Sequence, residues 1–366
     1  MDRGLGLNSV PAPEPVCLNP IGFLGADWWG SDARATGAEL RRRGCLLIER
    51  HYEDYFPTRW RSLILRGLRS AMRPLICRDY NSAVRELLHV RTLEFLLVFK
   101  GMLLDAATLR LFRDRGIPCY CIYPDVSFLD HGGNIWQCLP LYDCVFTTKS
   151  YHKQDTSLRS QLQDLQLVPH GYDPEVHRRL PLSSAAAAAY CCDVSFVGVW
   201  SPSKEAHLQA LIDRLPSIDL RIWGPSWQNA RTAVRRYWQG RGAWGDEIAA
   251  IYQASKINLG LLSEAGTGTN SGDLTTARTW QIPGSGGFLL HQKTAELCEA
   301  FEAESEVGVF SGPAELPSRV DWWLQHPLER KAAADRGWER AVNHQYTYAR
   351  AVSAVLDYHL KRKTVA

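Results

Sequence analysis

From Asp273 to Leu290 the chain reads Asp-Leu-Thr-Thr-Ala-Arg-Thr-Trp-Gln-Ile-Pro-Gly-Ser-Gly-Gly-Phe-Leu-Leu. Its polar head, Asp273, Thr275, Thr276 and Arg278, offers a carboxylate, two hydroxyls and a fixed cation. Gly284, Gly286 and Gly287 follow, and then the apolar run Phe288–Leu290. This order reads as a loop feeding a short helix, a glycine turn and a buried strand. Amides exposed at a helix start attract anions, glycines let backbone approach a ligand, and a planar guanidinium fork suits phosphate. The chemistry on offer is the holding of a phosphorylated ligand. A plain turn before a strand can look the same, so the surrounding elements decide.

Those elements belong to a chain of 366 residues, a length that suits two domains, since single cores rarely grow past about 250–300 residues. Charged residues at 22% and hydrophobic residues at 45% are ordinary globular values. A net charge of +3, with no accompanying nucleic-acid signature, argues against a nucleic-acid partner. The ten cysteines include no C-x-x-C pair and no Cys/His cluster with zinc spacing, so they read as small core residues in a reducing compartment, and no metal site is expected. Four prolines and no apolar h-region in the first twenty residues argue against a signal peptide. No run reaches the ~18–20 apolar residues of a membrane span. A cytoplasmic location is expected.

Strand and helix signals alternate along the chain. Ile21–Gly25 reads as a strand, Ala33–Arg43 as a helix closed by Gly44, and Cys45–Ile48 as the next strand. Leu93–Lys100, Pro118–Tyr123, Cys144–Thr147 and Leu165–Val168 continue the set, with a helix at Ala106–Arg115. Arg178–Ser184 and the alanine run 185–189 form a compositional seam, the best candidate for a domain boundary. The rhythm restarts with strands at Asp193–Val197, Asp219–Trp223, Ile257–Leu262, Gly287–Leu290 and Glu306–Phe310, then helices over 315–360. Strands that alternate with helices imply parallel sheets, and ligands of such sheets bind beyond the carboxyl ends of the strands. With two facing sheets, that place is the cleft between domains.

The order of motifs in the second half resembles the CgeB-like (spore-maturation-type) glycosyltransferases, a branch close to the retaining glycosyltransferase family four. The resemblance is carried by Asp193-Val-Ser-Phe-Val-Gly198, Ile222-Trp-Gly224, Ile251-Tyr-x-x-Ser-Lys-Ile-Asn-Leu259, Arg278-Thr-Trp-Gln-Ile-Pro-Gly-x-Gly-Gly-Phe-Leu289 and His326-Pro-x-Glu-Arg330. Leu167-Val-Pro-His-Gly-Tyr-Asp-Pro174 is similar to the family's turn between domains. The resemblance implies an α/β chain of GT-B fold, in which two Rossmann-like domains face each other across a cleft. The acceptor domain would span 1–182, the nucleotide-sugar donor domain 183–345, and a C-terminal helix, 346–366, would cross back to the N-domain.

It also implies a donor site. Lys204 and Arg278 would hold the diphosphate, with Gly198, Trp223, Gly286 and Gly287 around the donor. Family-four relatives carry two glutamates eight positions apart, near the donor sugar and the ribose, and here that spacing falls on Asp273 and Gln281. An amide still bonds ribose hydroxyls but supplies no negative charge. Asp273 is equally readable as an exposed loop acid or as the N-cap of the following helix. Asp125 stands where relatives often present a histidine, with His131 nearby. A carboxylate there could bond sugar hydroxyls or orient the nucleophile, or simply cap a turn. Gly30, Ser31, His131 and His170 are the acceptor-side candidates, Gly30 and Ser31 by position alone; for His170 a structural hydrogen bond is the alternative.

The expected activity is transfer of a sugar from a nucleoside diphosphate sugar to a hydroxyl acceptor, with no cofactor or metal; the resemblance further implies retention of configuration. The rival readings are a nucleotide-sugar binder without activity and a sugar-nucleotide 2-epimerase on the same fold. Pro57–Met72, continued by Arg73, has Trp60, Leu63, Ile64, Leu68 and Met72 on one helical face and five arginines among them. That stretch reads either as a domain helix with its apolar face in the core or as a peripheral contact with an anionic membrane.

Overall fold

The computed structural model describes residues 19–56, 63–269 and 271–365. Two parallel sheets organise the chain. The first holds β1 (Ile21–Gly25), β2 (Leu47–His51), β3 (Leu96–Phe99), β4 (Cys119–Tyr123), β5 (Cys144–Thr147) and β6 (Leu165–Leu167), in the order β2-β1-β3-β4-β5-β6. The second holds β7 (Cys192–Val197), β8 (Leu220–Trp223), β9 (Ser255–Gly260), β10 (Leu289–Gln292) and β11 (Gly308–Phe310), in the order β11-β10-β9-β7-β8.

The central strands of the first sheet, β1, β3 and β4, are apolar throughout because helices cover both of its faces. In β4, Cys121 and Tyr123 face Val84, Leu109 and Phe112, whereas Tyr120 and Ile122 face Leu40, Val352 and Leu356. The alternation is that of a strand with period two. In the second domain Val194, Phe196 and Ile222 pack with Leu208, Trp227 and Trp323, while Val197 and Trp223 join Ile251, Trp280 and Leu289 on the other face. Among the described cysteines, Cys191 and Cys298 are exposed and the rest are at least half-buried.

Two strands start later than the sequence indicates, β2 at Leu47 rather than Cys45 and β10 at Leu289 rather than Gly287. In both, pairing continues into polar residues at the cleft end, where hydropathy gives no signal. The alanine run is a helix, Ser184–Tyr190, with the Ser183 hydroxyl accepting from Ala186 N at 3.2 Å. Alanine has the highest helix propensity, and this helix packs on Asp246–Ala254 of the second domain.

Two passages of chain lie side by side between the domains. Tyr172 N donates to Tyr346 O at 3.0 Å, and a Cβ on Gly171 would sit 2.4 Å from the Thr347 carbonyl carbon. Only glycine fits that crossing. Beyond it the Ala349–Val365 helix packs on the first domain, burying Val352, Val355 and Leu356 against its sheet.

Of the basic stretch 57–73, residues 57–62 lie outside the described residues, as do the side chains of 63–67 and 69. Its described part opens the Leu63–Glu86 helix, where Leu68, Met72 and Leu75 are exposed rather than in the core.

Candidate functional site

The carboxyl ends of both sheets meet at a cavity of about 230 Å³. Asp32, Asp125, Lys149 and His170 line it from the first domain, and Ser263, Asp273, Thr276 and Arg278 from the second.

On the second domain's side, Ser201 caps the Pro202–Arg214 helix and proline takes its first position, which sets Lys204 in the first turn. Lys204 is buried, and its Nζ donates to Ser263 Oγ at 3.1 Å. Burial and the neighbouring Arg278 push its pKa down to about 8. Arg278 is the second residue of the Ala277–Gly284 helix. Its fork donates to Val197 O at 3.3 Å and Leu261 O at 2.6 Å, both just at the strand ends, and its guanidinium lies over the Phe196 ring. Arg278 Nε is buried with no partner among the described residues. Gly198 leaves room for this arginine, since a Cβ there would lie 2.7 Å from Arg278 Nη1.

Ser263 links these cations to Asp273, whose amide donates to Ser263 O at 2.9 Å. The Asp273 carboxylate is ion-paired with Lys149 of the first domain, and both side chains are nearly fully buried. Lys149 follows β5 in Thr147-Thr-Lys149 and was missed in the sequence, although three polar residues at the end of an apolar strand are a usable signal. Thr276 N donates to Thr279 Oγ1 at 2.9 Å, and Thr279 meets His291 Nε2 at 2.9 Å, which fixes the start of the arginine-bearing helix.

On the first domain's side, Asp125 follows β4 and contacts Lys100 Nζ at 2.6 Å and His131 Nε2 at 2.9 Å. Burial opposes its ionisation, but His131 and Lys100 outweigh burial and hold the carboxyl well below the usual carboxylate range. Lys100 sits at φ 69°, a left-handed conformation uncommon for lysine, at the end of β3. His170 is buried, its Nδ1 has no partner among the described residues, and burial and Lys149 keep it below its ordinary pKa, hence neutral near pH 7.

Asp125, Asp273, Arg278 and His170 therefore line one cavity, and Lys204, Gly198 and His131 touch its lining. Several expected residues do not. Trp223 is buried in the core beside Tyr190, so its ring offers the cleft nothing. Gly286 and Gly287 follow the arginine-bearing helix and precede β10, at the amino ends of the strands, away from the cavity at their carboxyl ends. Their constraint is packing. A Cβ on Gly287 would lie 2.4 Å from Tyr252 O, and one on Gly286, at φ 79°, 2.6 Å from Arg179 Nε. The helix start faces the ligand space and the glycines face away from it. Gln281 is buried in the same helix, outside the cavity's lining. The Ser31 hydroxyl caps the Asp32–Arg42 helix, leaving Asp32 as the lining residue, and Gly30 rests against Gly245 of the other domain.

Residues 204–357 match a protein family described as glycosyl transferase-like, a span that contains Lys204, Asp273 and Arg278. The second half of the chain thus carries a glycosyl transferase-like domain. Sucrose-phosphate synthase from Thermosynechococcus elongatus superposes with a TM-score of 0.64 at 11% identity, over 95% of this chain and all of its own. Anabaena HepE in complex with UDP-glucose gives 0.57 at 11% identity, over 95% of this chain and 100% of HepE. A protein described as UDP-N-acetylglucosamine 2-epimerase from Listeria monocytogenes gives 0.52 at 10% identity, over 92% and 95%. At such identities the likeness is one of fold, and the fold is GT-B. No curated protein sequence matches the chain.

Proposed function

We propose that this chain is a glycosyltransferase that moves a sugar from a nucleoside diphosphate sugar to a hydroxyl acceptor, without a metal and with retention of configuration. One observation carries the reading: Lys204, which is buried, and Arg278, which is half-buried, stand near the strand ends beside a carboxylate, Asp273, at the interdomain cavity. Negative charge grows on the diphosphate as its bond to the sugar breaks, and preorganised cations in a water-poor site stabilise that charge. Asp125 has too low a proton affinity to serve as a strong base, so its role is to accept a hydroxyl hydrogen bond and orient the sugar or acceptor. The narrower kinship with the CgeB-like branch and family four rests on the motif order. Gln281 is the departure from that branch, and it lies outside the cavity's lining.

UDP-glucose is the first donor to try, because HepE is seen with it. The 2-epimerase reading has the Listeria likeness behind it, so the experiment separates the two. Labelled UDP-glucose and UDP-N-acetylglucosamine are incubated with the protein, with and without a glycan acceptor. Acceptor-dependent release of UDP supports transfer. Isomerised sugar without acceptor supports epimerisation, and binding with neither product supports a binder.

We also propose a peripheral contact with anionic membrane through 57–73, supported by exposed Leu68, Met72 and Leu75 beside exposed Arg73 and Arg78. Among the described residues no helix is long and apolar enough to cross a membrane.

A further inference from the structure

Three tryptophans on loops at the cleft are exposed, although tryptophan is on average highly buried: Trp28 at 44%, Trp29 at 42% and Trp244 at 48%. Trp28 and Trp29 lie between β1 and the Asp32–Arg42 helix, in a turn where Ser31 N donates to Trp28 O at 2.9 Å. Trp244 stands just before the Asp246–Ala254 helix of the second domain. Two glycines let these loops touch. A Cβ on Gly30 would lie 3.0 Å from Gly245 N, and one on Gly245 would lie 2.4 Å from Trp29 Cδ1. Trp29 Nε1 donates to Asp246 Oδ1 at 3.1 Å, so its indole is tied to the opposite domain.

The rings are held in place. The Arg34 guanidinium lies over one face of Trp29, 4.2 Å from the ring centroid. A Cβ on Gly242 would lie 2.5 Å from the Trp244 ring, so that ring rests against its own loop. Trp28 hydrogen-bonds Tyr52. Burial and Glu53 raise the Tyr52 pKa, the Trp28 bond opposes them and Asp125 adds to the rise, which places Tyr52 within electrostatic reach of the donor cavity's carboxylate. The turn that carries Trp28 and Trp29 runs directly into Asp32, which lines that cavity. The exposed rings therefore border the site of transfer, and groups fixed in advance lose little freedom on binding.

Around the rings the carboxylates Asp27, Glu53, Glu175, Asp246 and Glu247 outnumber the arginines Arg34, Arg178 and Arg241, and each arginine is paired with one of them. That balance disfavours a polyanion. An acyl chain would cover these charged groups along with the rings and strip their water at a cost. A saccharide ring offers C–H faces to indoles and hydroxyls to the flanking carboxylates and arginines. We propose that Trp28, Trp29 and Trp244 form a platform on which the rings of a saccharide-chain acceptor lie, with its reacting end in the cavity at Asp125. The proposal rests on the transfer reading above and narrows the hydroxyl acceptor to a glycan of two rings or more, because the platform lies beside the cavity and not in it. Since its rings come from both domains, a glycan bound there favours the closed cleft.

Saturation-transfer NMR on the full chain tests the platform, with glucose, maltotriose, cellotriose and trigalacturonate as probes and phosphatidylcholine vesicles as the lipid arm. Stacking tolerates changes of linkage, so two neutral trisaccharides of unlike shape suffice. At least one of them should receive stronger saturation than glucose. Trp29→Ala and Trp244→Ala should each weaken its binding about tenfold while UDP affinity is kept. If Trp29→Ala does not fold, Trp244→Ala, on an exposed loop residue, carries the test. Trisaccharide contact is read without UDP, and Arg278→Ala should lower UDP affinity but leave that contact in place, so failure of the donor site and failure of the platform are told apart. No contact with either neutral trisaccharide, saturation of glucose as strong as theirs, stronger contact with trigalacturonate, vesicle binding that is lost in Trp244→Ala, or trisaccharide affinity unchanged in Trp244→Ala would overturn the proposal.

Discussion

Lys149 and Asp273 join the two domains by an ion pair whose side chains are 4% and 7% exposed. A pair so buried is a constraint as much as a bond, because neither charge can be left alone. Removing one partner of such a pair typically costs about 3–5 kcal/mol, whereas replacing both by apolar groups is often neutral. Lys149→Met should therefore lower the urea midpoint, followed by tryptophan fluorescence, and Lys149→Met/Asp273→Leu should recover most of the loss. A double variant no more stable than the single one would mean that the pair does not hold the domains.

Arg278 is the cation most firmly fixed at the cavity, with two strand-end carbonyls holding its fork. Arg278→Ala should weaken UDP binding and slow transfer together, since the same charge faces the bound and the departing diphosphate. One lost charge-assisted bond is worth ~1.5–3 kcal/mol, or about tenfold to over a hundredfold in affinity. Calorimetry with UDP on folded variant decides; unchanged affinity would remove Arg278 from the donor site.

Lys204 gives the site a pH dependence. Its pKa is pushed down to about 8, so the ammonium is present below that pH and is lost above it. The protonated form is the one that attracts diphosphate, so UDP affinity should fall as pH rises through 8. Lys204→Arg keeps its charge through that range and should flatten the fall. A wild-type affinity that stays level from pH 7 to 9.5 would contradict the assignment.

What the sequence disclosed, and what it hid, follows from how each residue acts. Buried parallel strands announce themselves as apolar runs, so β1, β3, β4, β5 and β7 were legible within a few residues. Asp125 was legible because it stands at the end of such a run, and Arg278 because it heads a short helix that leads into one. The glycines misled, because a glycine required by Tyr252 O and one required by a ligand look the same in one sequence. Lys149 stayed hidden because its partner lies 124 positions away, and pairing across a cleft leaves no local pattern. Trp223 looked available in a motif, but the direction of its side chain depends on strand alternation, and that sends it to the core.

Membrane contact should be electrostatic if residues 57–73 make it. Sedimentation with anionic vesicles should fall as salt rises, because salt screens exposed charges. Replacing the exposed Leu68 and Met72 by serine should weaken binding further at low salt. Equal partitioning to neutral and anionic vesicles would count against the contact.

The tail helix is expected to be part of the first domain's fold. Val352, Val355 and Leu356 lie against Phe95, Tyr120 and Phe146, and His359 bridges Tyr120 OH and Glu94, each at 3.0 Å. Leu356→Ala should cost about 2–5 kcal/mol, as is usual for a fully buried leucine. Ending the chain after Tyr346 should do more, exposing the sheet face that these residues cover and costing solubility. Glu94 adds a signature in pH. Burial raises its pKa, but Lys363, His359 and Asn19 outweigh burial and bring it down to about 2. A glutamate depressed in the folded state stabilises the fold above its ordinary pKa and ceases to as pH falls through the folded value. Stability lost between about pH 4.5 and pH 2 should therefore shrink in Glu94→Gln. A truncated chain that stays soluble and fully active would show that the helix merely caps its own end.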